Sequence, residues 1–244
     1  MDAGPSTRSS ARRRRARRRT LTLVVVVLVL VLGAGVALAS CSGGGGDDKA
    51  APTSTTAAAK TNVDIRLGDV TADSAGAPVT ISGEQSQQVL DALTTYVKGA
   101  TVSPLRSGKP ASADFGAIFD ANTLMSAMTT DRGILLDEGM PKVTGDLTVT
   151  AQPVTLVGLG DQSGNLTLIT AALAVDATGA TALKGAAPLH VVRRADFTLQ
   201  PDGAGAWKIT AYDVVVAREG GDLSPTTTTV ASATTGAATT GARK

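Results

Sequence analysis

The sequence predicts an α+β domain: N-terminal helices packed on one face of a curved antiparallel sheet of about four long strands, flanked by an unstructured linker and tail. Three observations carry this expectation. Apolar residues recur at helical spacing from Val89 to Ala100, the pattern switches to alternation from Val143 onward, and composition changes sharply after Cys41 and after Asp222. Residues 61–222 are long enough for one domain that buries roughly 70% of its unfolded surface.

The chain opens with arginines at 8, 12–15 and 17–19, followed by the apolar run Leu21–Ala39. Positive charge before a membrane-length apolar run keeps the N-terminus on the cytoplasmic side. Residues 1–40 read as an export signal or a membrane anchor. The length of the run suits an anchor, because signal apolar regions span about 7–15 residues. Its end, Leu38-Ala39-Ser40-Cys41, suits cleavage. Residues 1–40 carry eight arginines against one aspartate, leaving fifteen basic and twenty acidic residues for the remainder. The basic pI near 8.8 therefore belongs to the leader, and the rest of the chain lacks the basic stripe that nucleic-acid binding needs. With Cys41 as the only cysteine, no internal disulfide can form.

Residues 41–60 hold that cysteine and a Gly-, Ala- and Thr-rich spacer. The domain then opens with Val63–Leu67, a short alternating strand that the Asp73–Ala77 turn would pair with Pro78–Ile81. Ser82 and Gln85 form a capping box for a helix over about Glu84–Lys98. Short helices follow at Asp114–Phe119 and about Asn122–Met128. Strands are expected at Leu147–Ala151, interrupted by Pro153, then at Val154–Leu159, Leu166–Val175, Leu189–Leu199 and Trp207–Ala217. Residues 223–244, almost free of charge and rich in Thr and Ala, read as a disordered tail.

Leu38-Ala39-Ser40-Cys41 resembles the lipobox of bacterial lipoproteins. In that family the signal is cut before the cysteine and the thiol receives a diacylglyceryl group, which implies lipidation of Cys41. The resemblance implies a plasma-membrane, lipid-anchored protein on the extracytoplasmic side. The order of helices and strands, ending in Trp207-Lys208-Ile209, is similar to the nuclear-transport-factor-2-like (cystatin-type cone) fold. The hairpin RRADFTLQPDGAGAWKITAYDVVV resembles those of actinobacterial secreted proteins, and the layout is also similar to domains associated with mammalian-cell-entry transport systems.

Enzymes of the cone fold carry polar residues at the mouth of the cone, which directs attention to Arg193, Asp213 and His190. Alternation places Arg193 with Phe197 on the inner face. It places Asp213 with Trp207 there as well, so Arg193 and Asp213 are the candidate pocket pair, either a satisfied structural pair or a binding site. His190, the only histidine, falls on the outer face with Arg194 and Asp196. Asp131-Arg132 and Asp137-Glu138 read as a charged turn into the sheet. No metal-ligand spacing, phosphate loop or nucleophile elbow is present, and no cofactor is expected. The sequence thus favours a non-enzymatic binding module for a lipid-like ligand or an envelope protein. The alternatives are a small enzyme using the cone pocket and an uncleaved single-pass subunit of a lipid-transport system.

Overall fold

The computed structural model describes residues 61–234. Residues 1–40, Cys41 and the spacer to Lys60, and residues 235–244 lie outside them. The described chain is α+β, with helices between the first strand and a largely antiparallel sheet.

Strand β1 is Leu67–Ser74, and the first helix, α1, is Gly83–Val97. As the spacing predicts, Ser82 Oγ accepts from the Gln85 amide (3.1 Å) and Gln85 Oε1 accepts from the Ser82 amide (2.8 Å). The buried stripe of α1 is Val89, Leu90, Leu93, Tyr96 and Val97. The helix widens into a π turn at Lys98–Val102, then tightens into α2, Ser103–Ser107, which Gly108 closes in the left-handed region. Helices α3 (Phe115–Ile118), α4 (Ala121–Met128) and α5 (Arg132–Leu135) complete the layer. Asp120 caps α4 by accepting from the Asn122 and Thr123 amides.

Six further strands follow: β2 Val143–Ala151, β3 Val154–Gly160, β4 Leu166–Thr181, β5 Leu189–Pro201, β6 Trp207–Gly220 and β7 Leu223–Thr234. The sheet order is β1-β3-β4-β5-β6-β7, and β2 pairs with the far half of β4. Strands β2 and β3 act as one line broken at Gln152-Pro153, where proline has no amide for the ladder. Phe197 stands edge-on to Tyr96 (4.9 Å between ring centres) and joins the helices to the sheet through an aromatic cluster with Phe115, Phe119 and Tyr212.

The structure corrects the sequence reading at three places. First, the sheet has seven strands rather than about four. Second, the opening strand is Leu67–Ser74, not Val63–Leu67, and it runs parallel to β3 instead of pairing with Pro78–Ile81. Residues after it turn onto the β3–β4 connection, where the Ala77 amide donates to the Gln162 carbonyl (3.2 Å). The helical layer then supplies the crossover that a parallel pair requires. Third, Leu223–Thr234 is a strand, so the ordered domain does not stop at Asp222. Gly221 and Asp222 both have positive φ (56° and 65°) and form a two-residue connection between Gly220 and its partner Leu223. That is the chemistry of a tight hairpin turn, and β-branched threonines suit the strand that follows.

Gly220 itself sits at φ 73°, and a Cβ there would overlap the Pro188 carbonyl. Gly220→Ala is therefore expected to destabilise the domain by about 1–3 kcal/mol, measured as a lower urea midpoint with an unchanged slope.

Candidate functional site

Beneath the helices the sheet carries a buried ionic cluster, formed by Asp137, Arg193 and Arg218, which are 0%, 1% and 4% exposed. Arg193 lies on the inward face of β5 with Val191, Ala195 and Phe197. Arg218 reaches the same interior because β6 has an extra residue. The register passes from Thr198–Ala211 to Leu199–Ile209, leaving Thr210 as a bulge. Before it Trp207 and Ile209 are buried; after it the buried set is Tyr212, Val214, Val216 and Arg218.

Asp137 follows α5 and is fixed by its own amide, which donates to the Ala100 carbonyl in the π turn (2.8 Å). Asp137 Oδ2 accepts from Arg193 Nη2 (2.8 Å) and from Thr101 Oγ1 (2.7 Å), and Oδ1 accepts from Arg218 Nε (2.8 Å). Arg218 Nη2 also donates to the Leu136 carbonyl (3.2 Å). Arg193 Nη1 donates to the Tyr96 hydroxyl (2.8 Å), which donates onward to the Leu135 carbonyl (3.2 Å). Arg193 Nε has no partner among the described residues.

Two guanidiniums on one carboxylate leave a positive excess inside the domain. Burial acts to lower the Arg193 pKa, but the adjacent Asp137 carboxylate and Tyr96 outweigh it and hold the group above its ordinary value. Burial, the largest cause, also holds Tyr96 above the usual tyrosine range. The cluster's chemistry is positional: its donors point at protein oxygens and tie α1, the π turn and the Ile134–Asp137 segment to β5 and β6.

The expected Arg193–Asp213 pair is not formed. Arg193 is inside, as the alternation predicts, whereas the Thr210 bulge turns Asp213 to the exposed outer face. Asp137, expected in a charged turn, is instead the centre of the cluster. Its neighbours behave as surface groups, with Arg132 paired to Glu138 (2.7 Å). Tyr212 donates to Asp131 Oδ2 (2.6 Å); burial first, then this bond, raises the tyrosine pKa. Arg218 does not stand out in the sequence, and the bulge that buries it shows only as a one-residue shift in the apolar phase after Ile209.

His190 lies on the outer face as expected, with Nδ1 3.0 Å from Glu219 Oε1 and Nε2 3.9 Å from Asp176 Oδ1. Further along, Asp196 stands directly opposite Asp213. Partial burial, then the Asp213 charge, raises the Asp196 pKa. Native Asp196 thus holds its proton to higher pH than the unfolded chain does, and stability falls as pH rises through that window. Asp196→Asn is expected to raise stability by about 0.5 kcal/mol at neutral pH, because like charges directly opposite are destabilising. The gain should disappear in acid, where Asp196 is protonated, when urea melts are compared at the two pH values.

Two open clefts flank the core, one of 380 Å³ beside Phe119 and Lys208 and one of 520 Å³ between α1 and the β5–β6 turn. Neither is lined by the ionic cluster. Among the described residues no group of three or more His, Cys, Asp or Glu side chains could hold a metal ion, and no helix is long and apolar enough to cross a membrane. Comparison with protein-family models, curated proteins and solved structures gives no match to the chain.

Proposed function

We propose that this chain is a lipid-anchored extracytoplasmic protein whose domain is a non-enzymatic binding module for an envelope protein. Residues 1–40 serve as the export signal, and Cys41 carries the diacylglyceryl anchor. Support for the anchor lies in the sequence: arginine block, apolar run, lipobox-like end, sole cysteine and glycine spacer in succession. Two acyl chains hold a protein stably at a membrane, where one gives only marginal binding.

The observation that carries the binding reading is the filled interior. The cone-type fold, proposed from the order of helices and strands, tends to hold a pocket between its helices and sheet. Here Arg193, Tyr96, Phe115, Phe197 and Leu199 occupy that space and are fully buried. This favours a protein partner over an enclosed lipid-like ligand. Apolar side chains are instead exposed near the β1 edge, at Leu67, Val70, Val157 and Leu159, and Leu159 faces Leu168 across the ladder. The enzyme alternative loses its proposed pair, because Arg193 and Asp213 occupy opposite faces.

Native mass spectrometry of the membrane-extracted protein tests the reading. The expected species are the acylated chain alone and with a protein partner that Leu159→Lys removes. A stoichiometric lipid beyond the Cys41 acyl chains, released only on unfolding, would contradict it.

A further inference from the structure

The described residues carry eleven Lys and Arg against eighteen Asp and Glu. Five of the bases, Arg66, Arg132, Arg193, Arg194 and Arg218, are ion-paired. Of the six without a carboxylate partner among the described residues, four gather at one end of the sheet. Arg106 donates to the Thr61 hydroxyl (3.0 and 2.9 Å) and to the Gly145 carbonyl. Lys109 follows α2, and Lys142 packs over Gly108, where an added Cβ would lie 2.6 Å from Lys142 Cε. Val143 pairs with Thr181, which brings the β4–β5 connection and Lys184 to the same end.

That connection, residues 182–188 (ALKGAAP), is exposed and apolar but for its one lysine, and Leu183 is 45% exposed at its tip. The acids at or near this end include Asp146 and Asp222, together with Asp64, Glu138, Asp176 and Glu219, which are engaged by Arg66, Arg132, Arg194 and His190. The turns at the opposite end carry Asp161 and Asp202. Thr61, held by Arg106, is the first described residue, and only the nineteen residues 42–60 separate it from Cys41. By chain statistics, nineteen residues bridge about 25 Å on average. The described residue nearest Cys41 in the chain, the positive charge and the exposed apolar tip therefore lie at one end of the domain.

We propose that this end of the domain rests on an anionic phospholipid surface, with Arg106, Lys109, Lys142 and Lys184 at the headgroups and Leu183 inserted at the interface. The inference rests on the lipid-anchor reading above and adds an orientation to it, since an anchor at Cys41 alone specifies none. The β1 edge and the outer sheet face are then left accessible to a partner.

The test uses the membrane-extracted, acylated protein carrying Leu183→Trp, reconstituted in vesicles of brominated phosphatidylglycerol or brominated phosphatidylcholine. Trp207, buried at the opposite end of the sheet, gives a constant background. Emission from the introduced indole should be quenched on phosphatidylglycerol alone, and the quenching should vanish near 1 M salt, where screening acts within about 3 Å. Adding Lys109→Gln, Lys142→Gln and Lys184→Gln should lower the equilibrium constant for seating this end on the vesicle about a hundredfold, each base contributing about fivefold at an anionic surface.

Unquenched emission from that indole on phosphatidylglycerol vesicles that still carry the protein would overturn the inference, as would equal quenching on both lipids. Hydrogen exchange over residues 181–188 of the unsubstituted protein is the second readout. Slower exchange on phosphatidylglycerol than on phosphatidylcholine supports the inference, and equal exchange rejects it. Loss of the protein from phosphatidylcholine vesicles would instead show that the anchor reading, and this orientation with it, had failed.

Discussion

Asp137→Ala is expected to lower the stability of the domain by about 3–5 kcal/mol, because it leaves two buried guanidiniums without the carboxylate they share. Domains of this kind have about 5–15 kcal/mol in total, so the variant should populate unfolded chain in dilute denaturant. The loss extends beyond one pair. Thr101, Arg193 and Arg218 all meet at the two Asp137 oxygens, and the Asp137 amide closes the π turn through Ala100. Asp137→Asn keeps the size of the side chain and removes only its charge. It should lose nearly as much, since the uncompensated arginines are the cause. Urea unfolding followed by circular dichroism measures both variants. A cost below about 1 kcal/mol for either, the scale of an exposed pair, would mean that water reaches the cluster.

Arg193→Ala is expected to cost about 3–4 kcal/mol, from the cavity left by a fully buried side chain and from the lost bonds to Asp137 and Tyr96. Arg193→Met restores most of the volume and leaves Asp137 paired one to one with Arg218. The positive excess is thereby removed, and the expected cost falls to about 1–2 kcal/mol, in line with the tolerance of buried ion clusters for well-packed apolar replacements. Equal costs for alanine and methionine would assign the effect to the ion pair rather than to packing. The same urea melts decide this, with midpoint and slope compared across the pair.

The elements that sequence periodicity revealed are those whose pattern serves one purpose. Helix α1 has a capping box and an apolar stripe that agree, and the run from Val143 to Ala217 alternates because one sheet face is buried. Legibility failed where one residue changed the phase. Thr210 turns Asp213 outward and Arg218 inward. The only trace in the sequence is the shift of large apolar residues from Trp207 and Ile209 to Tyr212, Val214 and Val216, which Ala211, Val215 and Ala217 on the other phase obscure. Asp137 was hidden for a different reason. Its partners lie 36, 56 and 81 residues away, so Asp-Glu at 137–138 reads as a surface turn until the sheet brings Arg193 and Arg218 over it. Strand β7 had a usable signal in Gly221-Asp222, a pair suited to a tight hairpin turn, but the threonine-rich composition beyond it read as a tail.

We propose that this chain is an acidic module held outside the membrane by Cys41, with residues 1–40 as its export signal. Intact mass of the protein extracted from membranes tests it most directly. The expected chain begins at Cys41, lacks residues 1–40 and carries the added mass of a diacylglyceryl group. A chain that retains residues 1–40, with an unmodified thiol at Cys41, would contradict the claim.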